Sequence, residues 1–262
     1  MTVTFSNDSN FGILCVTSIM NSFFSALSFL SVLPLPGRTG ERRPLPAAVF
    51  WFPVAGLVIG AILAAANIIL AALGLGALAA AAVIIVLMFI ITGGLHADGL
   101  ADTFDAFFSG KSKDEMLVIM RDPHIGSMGT LAITSTVVLK VAFLSSIAPA
   151  QTTNALLVAC MLGRWAMVTA MFLFPYARPD GKPKTFMDGL RGRTVLAATA
   201  LSAGTAFAIA GITGIVLMCA AAITAYAFAS IARKKIGGIT GDCLGAINEI
   251  TELVILLAFT II

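Results

Sequence analysis

Long apolar stretches separated by short polar links dominate the chain. Seven of them reach or approach the length of roughly 20 residues that a helix needs to cross a bilayer. An eighth, residues 11–33, carries no charge but contains Asn21 and several serines, so it either spans or forms a re-entrant segment. Prolines and a glycine follow it and stop the helix. The seven clear stretches are 53–72, 75–95, 128–148, 153–174, 194–212, 214–232 and 244–262.

The composition requires lipid. Of the 262 residues, 59% are apolar and only 11% are charged, whereas soluble domains carry about 45–50% and about 25%. These values exclude a soluble globule, a disordered chain and a disulfide scaffold. Because no internal repeat and no Pro- or Ser-rich linker divides the chain, residues 1–262 are predicted to form a single integral membrane domain. The predicted fold class is all-α, a polytopic membrane helix bundle with seven or eight spans.

The basic residues occupy alternate links. Nearly all of the 16 Lys and Arg residues lie in links 34–52, 96–127, 175–193 and 233–243, and the intervening links carry no charge. This alternation is expected if all the charged links share one face of the membrane. The positive-inside rule assigns that face to the cytoplasm.

Three aspartates follow the second clear stretch at helical spacing. Asp98, Asp102 and Asp105 are spaced i, i+4 and i+7, so on a helix they form one carboxylate face. Three like charges repel one another unless one is protonated or a cation lies among them, and Mg²⁺ is the economical cation for carboxylates. Gly93-Gly94 precedes them and offers bare backbone to a ligand. A solvated acidic face at the membrane surface is the alternative.

A second acidic group lies at the last stretch. Asp242 and Glu249 are seven residues apart and share a helix face, and Glu252 lies one turn further on. Acids inside a span are costly and should face protein or a water-filled cavity. Asp242 is explained equally well as a helix N-cap and as a metal ligand. Glu249 and Glu252 lie too far into the segment to cap it.

Two arginines are candidates for phosphate binding. Arg121 and Asp122 precede Gly126 and Ser127 at a predicted helix start, where backbone amides beside an arginine suit a phosphate. An ordinary capped loop is the alternative there. Arg164 lies within a stretch, and an intramembrane arginine indicates function unless it pairs with a buried acid.

These blocks resemble the cobalamin synthase family, also called adenosylcobinamide-GDP ribazoletransferase. They occur in the family's order and spacing, so the resemblance covers nearly the whole chain. Two local departures affect only phosphate contacts: Ser31-Val32 stands where the family usually has Thr-Arg, and Pro123-His124 replaces a small polar residue followed by a basic one. The blocks are TGGLHADGLADTFD at 92–105, RD at 121–122 with Gly126 and Gly129, and GGITGDCLGAINEITE at 237–252.

The resemblance implies a Mg²⁺-dependent, multi-pass enzyme of the bacterial inner membrane, with its active site on the cytoplasmic face. A hydroxyl of α-ribazole, or of its 5′-phosphate, attacks the phosphate on the cobinamide side chain of adenosylcobinamide-GDP. GMP leaves, and adenosylcobalamin or its phosphate forms. The implied partners are these substrates and the lipid bilayer, and no nucleic acid is expected. The resemblance leaves open whether the protein forms a homo-oligomer.

On this interpretation the site residues take hypothetical roles. The metal ligands are Asp98, Asp102, Asp105 and Asp242. The proton acceptor is Asp105, Glu249 or His96, which the sequence does not rank. The substrate- and phosphate-binding residues are Arg121, Asp122, Gly126, Ser127, Arg164 and Glu252.

Two rival functions remain. A CDP-alcohol-type phosphotransferase also aligns aspartates beside a span, but Ala101-Asp102 does not fit its spacing. A cation-coupled membrane transporter could use buried acids and glycine-broken helices. However, the acids here cluster at one side of the membrane rather than at its midplane.

Overall fold

A computed structural model describes residues 8–34 and 46–261, with the side chains of the first range described from Thr17 onward. The basic residues of the predicted 34–52 link, Arg38, Arg42 and Arg43, lie outside the described residues.

The described residues form an all-helical fold, as predicted. Their one strand-like feature is an isolated parallel bridge between Tyr176 and Ile239. A short 3-10 helix, Pro46–Trp51, leads into α2. The α-helices are α1 (Asp8–Leu30), α2 (Phe52–Ala72), α3 (Ala77–Thr92), α4 (Leu95–Phe108), α5 (Lys113–Ile119), α6 (Ser127–Ser146), α7 (Pro149–Leu173), α8 (Lys182–Met187), α9 (Gly192–Ile236) and α10 (Gly241–Phe259).

Several of these helices are suited to a membrane. Among the described residues, four are long and apolar enough to cross one: α2 with its 3-10 lead, α6, α7 and α9. The pair α3 and α4 gives a fifth if this bent unit counts as one span. The two arms meet at 90°. We treat apolar α3 as the spanning arm and α4, which carries three carboxylates, as lying outside the span.

Helix α9 contains a sharp break that the sequence already indicates. Gly211 has φ 60° and ψ −142°, which is non-helical. A Cβ at Gly214 would overlap the carbonyl of Ala206 on the other side of the break. The two halves therefore fold back on each other, and they correspond to the predicted stretches 194–212 and 214–232.

Helix α7 forms the centre of the bundle, where it packs against α2, α9 and α10. Two glycines of α2 allow this close packing. A Cβ at Gly60 would lie 2.8 Å from the carbonyl oxygen of Leu156, and one at Gly56 would meet the backbone of Met161. Small residues let helices approach closely in lipid, where the hydrophobic effect does not drive them together.

Three of the charged links meet at one end of the bundle. Arg121 pairs with Asp180 at 2.8 Å, which joins link 96–127 to link 175–193. Arg178 lies 3.1 Å from Asp242, which joins link 175–193 to the start of α10. The Lys235 ammonium donates to a backbone carbonyl near the end of α4 at 2.7 Å. Such contacts are expected if these links share one face of the membrane.

Candidate active site

The turn between α3 and α4 directs the first acidic group across the end of the bundle. Gly93 ends α3 and Gly94 begins α4, with φ of 63° and 70°. This left-handed backbone favours glycine. The two glycines produce the 90° bend, and α4 is helical throughout the predicted acidic segment. Asp98, Asp102 and Asp105 therefore share one helix face, as the spacing predicts.

Helix α4 crosses the start of α10 at very close range. A Cβ at Gly99 would lie 2.8 Å from the carbonyl oxygen of Asp242, and one at Gly245 would lie 2.9 Å from that of His96. Only hydrogen atoms at these two glycines permit the contact. The crossing brings Asp242 beside the α4 aspartates, although more than 130 residues of sequence separate them.

A methyl group at this crossing should destabilise the protein. In Gly99→Ala, the added Cβ meets backbone that cannot rotate away, and overpacking typically costs about 1–3 kcal/mol. We expect the midpoint of thermal unfolding in detergent to fall. The control is Gly204→Ala, another helical glycine, whose added Cβ would meet nothing within 4 Å. An equal response of the two variants would contradict this packing.

Asp242 does not cap α10. The N-cap is Thr240, whose side-chain hydroxyl accepts a hydrogen bond from the backbone N–H of Cys243 at 3.2 Å. Asp242 lies in the first turn with its side chain 22% exposed. Of the two roles left open by the sequence, the cap is wrong. The Asp242 carboxylate accepts a hydrogen bond from the Thr240 hydroxyl at 3.2 Å through Oδ2, and its role as a ligand stays a prediction.

A short backbone pairing positions Arg178 beside Asp242. The backbone N–H of Ala177 donates to the carbonyl of Ile239 at 2.8 Å, and the N–H of Ile239 donates to that of Pro175 at 2.9 Å. The Nη2 atom of Arg178 forms an ion pair with Asp242 at 3.1 Å, while its Nε atom is buried without a hydrogen-bond partner. Arg178 thus retains a donor for an anionic ligand.

The carboxylates carry more negative charge than the neighbouring Arg178 compensates. Burial, followed by the neighbouring Asp98, Asp242 and Asp105 carboxylates, raises the pKa of Asp102 to about 7. Within the described residues, no three His, Cys, Asp or Glu side chains already surround a metal position. The donor chemistry nevertheless fits a hard divalent cation, because a positive charge among these oxygens would relieve the repulsion.

Two cavities flank this group. The first, of about 240 Å³, has an apolar wall that includes Leu95 and Met167, and a polar wall that combines acids with cations. The second, of about 220 Å³, is bordered by Asp98, Asp102, Asp122 and Arg121. Asp98 lines both cavities. The polar wall of the first consists of His96, Asp98, Tyr176, Arg178, Lys182 and Asp242.

Asp105 holds the start of α6. Its two carboxylate oxygens accept hydrogen bonds from the backbone N–H groups of Gly126 at 2.7 Å and Gly129 at 2.8 Å. The predicted anion site at this helix start is therefore formed, but the chain's own carboxylate occupies these two amides. Ser127 lies exposed at the same turn. The structure does not bring Gly126 and Ser127 into the first cavity.

Glu249, Glu252 and Arg164 lie in a buried ion-pair network with Lys140. The Lys140 ammonium donates to Glu249 at 2.8 Å and also to Glu252. Arg164 donates to Glu252, as does the Asn248 amide at 3.1 Å. For Arg164 the pairing alternative is confirmed. Glu252, which was predicted to contact substrate, contacts Lys140, Arg164 and Asn248 within the protein. Glu249, a candidate proton acceptor, is paired with Lys140.

The remaining predicted residues lie at the surface. Arg121 is exposed and paired with Asp180, although it borders the second cavity. Asp122 accepts hydrogen bonds from the backbone N–H and the ring of His124, and these bonds hold the pKa of Asp122 below its usual range. His124 therefore contacts an acid instead of supplying a free positive charge.

Sequence reasoning did not single out Arg178, Lys182 or Tyr176, which line the first cavity. All three lie in a basic link whose charges are explained equally well by membrane topology and by substrate binding. Lys140 lies within the predicted stretch 128–148, where a lysine side chain would be expected to snorkel towards the membrane interface. It is instead fully buried against Glu249 and Glu252. The signal that the sequence does offer is a lone lysine inside an apolar stretch, which, like Arg164, is costly in a membrane unless it pairs with an acid.

Comparisons with known proteins give a consistent family assignment. The family profile described as cobalamin-5-phosphate synthase matches residues 22–260. Three relatives are each named adenosylcobinamide-GDP ribazoletransferase. The Roseiflexus sp. protein is 38% identical over 90% of this chain and 88% of its own length. The Desulforamulus reducens protein is 35% identical over 89% of this chain and 94% of its own length. The Escherichia coli protein is 35% identical over 90% of this chain and 98% of its own length. No solved structure matches the chain.

Proposed function

This chain belongs to the cobalamin-5-phosphate synthase family, and from that premise we propose that it is an adenosylcobinamide-GDP ribazoletransferase. It transfers the phosphoryl-cobinamide group of adenosylcobinamide-GDP to a hydroxyl of α-ribazole or its 5′-phosphate, with GMP as the leaving group. The single observation that carries this proposal is the crossing of α4 and α10, which unites two acidic segments beside a cavity lined by cations. The matches favour neither a CDP-alcohol phosphotransferase nor a transporter.

Asp98, Asp102 and Asp242 are the residues that would hold Mg²⁺ in this proposal. When bound, Mg²⁺ would neutralise charge that develops on the diphosphate oxygens. The pKa of Asp102, raised to about 7, supports a cation among these carboxylates. We leave Asp105 out of this set because both of its oxygens already accept backbone hydrogen bonds. Arg164 and Glu252 are likewise left out of the phosphate site, because each is bonded within the buried network.

Arg178 and Lys182 would bind the diphosphate in the first cavity. Guanidinium groups suit phosphate because they donate in a fixed fork, and the Nε atom of Arg178 is buried without a partner. Asp98 borders both cavities, which supports a transfer between two substrates that approach it from different sides.

Replacing Arg178 should impair nucleotide binding more than replacing Arg121. In Arg178→Met, we expect the KM for adenosylcobinamide-GDP to rise at least about tenfold, since charged hydrogen bonds contribute about 1.5–3 kcal/mol. In Arg121→Met, the change should stay within about threefold, because this exposed arginine pairs with Asp180 on the surface. Steady-state GMP release measures both. Greater loss in Arg121→Met would reverse the assignment.

The membrane arrangement is also part of the proposal. We propose one domain with seven or eight spans in the bacterial inner membrane, with α9 contributing one span on each side of Gly211. The face that carries links 96–127, 175–193 and 233–243 would be cytoplasmic, as the positive-inside rule requires. An active site on this face would meet both substrates where nucleotides are available.

The direct test incubates purified protein in detergent with adenosylcobinamide-GDP, α-ribazole and Mg²⁺. The proposal predicts equal amounts of GMP and adenosylcobalamin, and it predicts no GMP when α-ribazole and its phosphate are both omitted. A transporter would release no GMP under these conditions, since detergent leaves it no gradient. Absence of GMP from protein that remains folded would reject the proposed activity.

A further inference from the structure

His96 lies between the buried ion-pair network and the first cavity. Its side chain is 1% exposed and lines the cavity. On one side, its Nδ1 atom lies 3.5 Å from Nη2 of Arg164 in hydrogen-bond geometry. Its other ring nitrogen, Nε2, is buried without a hydrogen-bond partner. An unpaired buried polar atom is costly, so its presence beside a cavity points to a ligand.

Arg164 determines which nitrogen of His96 carries the proton. A guanidinium has only donors and no acceptor, and it stays charged in proteins. In this contact, therefore, Arg164 donates and Nδ1 of His96 accepts, which requires Nδ1 to carry no proton. A neutral imidazole with one unprotonated nitrogen has its proton on the other. The proton is then on Nε2.

The direction of the Arg164 guanidinium is itself fixed by neighbouring helices. Its Nη1 donates to the Glu252 carboxylate of α10 and, at 3.3 Å, to the carbonyl of Cys160 one turn earlier in α7. Glu252 is held in turn by Lys140 of α6. Three helices, α6, α7 and α10, therefore orient the donor that faces His96. Arg164 is fully buried, so the protein around it leaves its side chain little room to rotate.

We infer that Arg164 is a positioning residue that keeps His96 in the Nε2-protonated form, so that His96 donates a hydrogen bond to an oxygen of the ligand in the first cavity. The form of the ring follows from contacts within the chain alone. That the acceptor is a phosphate oxygen rests on the proposed function, and the nearby cations Arg178 and Lys182 favour it. A ring whose Nε2 carries the proton and whose Nδ1 faces a guanidinium has no nitrogen left to accept a proton. His96 is therefore removed from the candidate bases.

The position of the proton can be measured without substrate. The chain contains only two histidines, so ¹⁵N-histidine labelling gives two ring systems, and the His124→Asn variant leaves His96 alone. We expect an unprotonated-type ¹⁵N shift for Nδ1 of His96 and a protonated-type shift for Nε2. In Arg164→Met, the two forms should mix. A proton on Nδ1 in the unaltered protein, or an unchanged spectrum in Arg164→Met, would overturn the inference.

Two variants of His96 separate a donor from a base. The amide nitrogen of glutamine can replace Nε2–H as a donor but cannot act as a general base, and leucine can do neither. We expect His96→Gln to retain GMP release within about tenfold and His96→Leu to lose about 100-fold or more, the usual effect of removing one such donor. Equal and severe loss in both variants would contradict the donor role. If the unaltered protein released no GMP, only the proposed function would fail, because the ¹⁵N measurement would still decide the form of His96.

Discussion

Asp98→Asn and Asp102→Asn proteins should insert and fold, yet release GMP at least about 1,000-fold more slowly than the unaltered protein. Each substitution preserves shape and removes one negative charge from a group proposed to hold Mg²⁺. A bound metal contributes several kcal/mol of charge stabilisation to such a transfer, and each 1.4 kcal/mol corresponds to a factor of ten in rate. The rate of GMP release at saturating Mg²⁺ measures the effect.

The stability of the same variants distinguishes chemistry from folding. Removing one of several mutually repelling carboxylates should leave the unfolding midpoint unchanged or raise it, because repulsion and burial already raise the pKa of Asp102 to about 7. Asp188→Asn is a matched control, since this exposed aspartate pairs with Lys184 at the end of α8, away from the α4 carboxylates. Full activity in both Asp98→Asn and Asp102→Asn would remove these residues from the metal site.

The second large effect concerns the buried network. Lys140→Met should lower the free energy of unfolding by about 3–5 kcal/mol, because removing one partner leaves a buried charge without compensation. Lys140 and Arg164 balance Glu249 and Glu252, and all four are at most 3% exposed. Denaturation of purified protein in mixed micelles, followed by its intrinsic tryptophan fluorescence, measures the loss.

A double variant tests whether charge balance is the cause. Lys140→Met combined with Glu249→Gln restores neutrality and should recover at least about half of the lost stability. Lys184→Met is the control for lysine removal, since Lys184 forms only a partly exposed pair with Asp188, and such pairs contribute about 0–1 kcal/mol. A double variant less stable than Lys140→Met alone would contradict the charge-balance explanation.

The helical fold and its acidic segments were predictable because they depend on local patterns. Apolar length identifies membrane helices, and the spacing of Asp98, Asp102 and Asp105 determines which side chains share a face. Gly93-Gly94 was interpreted as bare backbone for a ligand, and its bend between α3 and α4 was not predicted. The same reasoning left Asp242 undecided between a cap and a ligand, since Thr240 and Asp242 both suit an N-cap and only geometry decides between them.

The partners of each charge could not be predicted, because they depend on long-range packing. Asp105 was predicted as a metal ligand and the helix start at Gly126 as an anion site, but no pattern in the sequence pairs the two. Arg164 pairs with Glu252, which lies 88 residues further along the chain. Arg178 reaches its position through backbone pairing between two loops, which leaves no periodic signal in the sequence.

Binding of Mn²⁺ in place of Mg²⁺ would show whether α4 and α10 jointly hold a divalent cation. Electron paramagnetic resonance of the purified protein distinguishes free from bound Mn²⁺ without requiring activity. We expect bound Mn²⁺ that Mg²⁺ displaces, with affinity strongly reduced in both Asp98→Asn and Asp242→Asn but unchanged in Asp188→Asn. Binding that survives undiminished in both site variants, or no binding by the unaltered protein, would contradict this joint site.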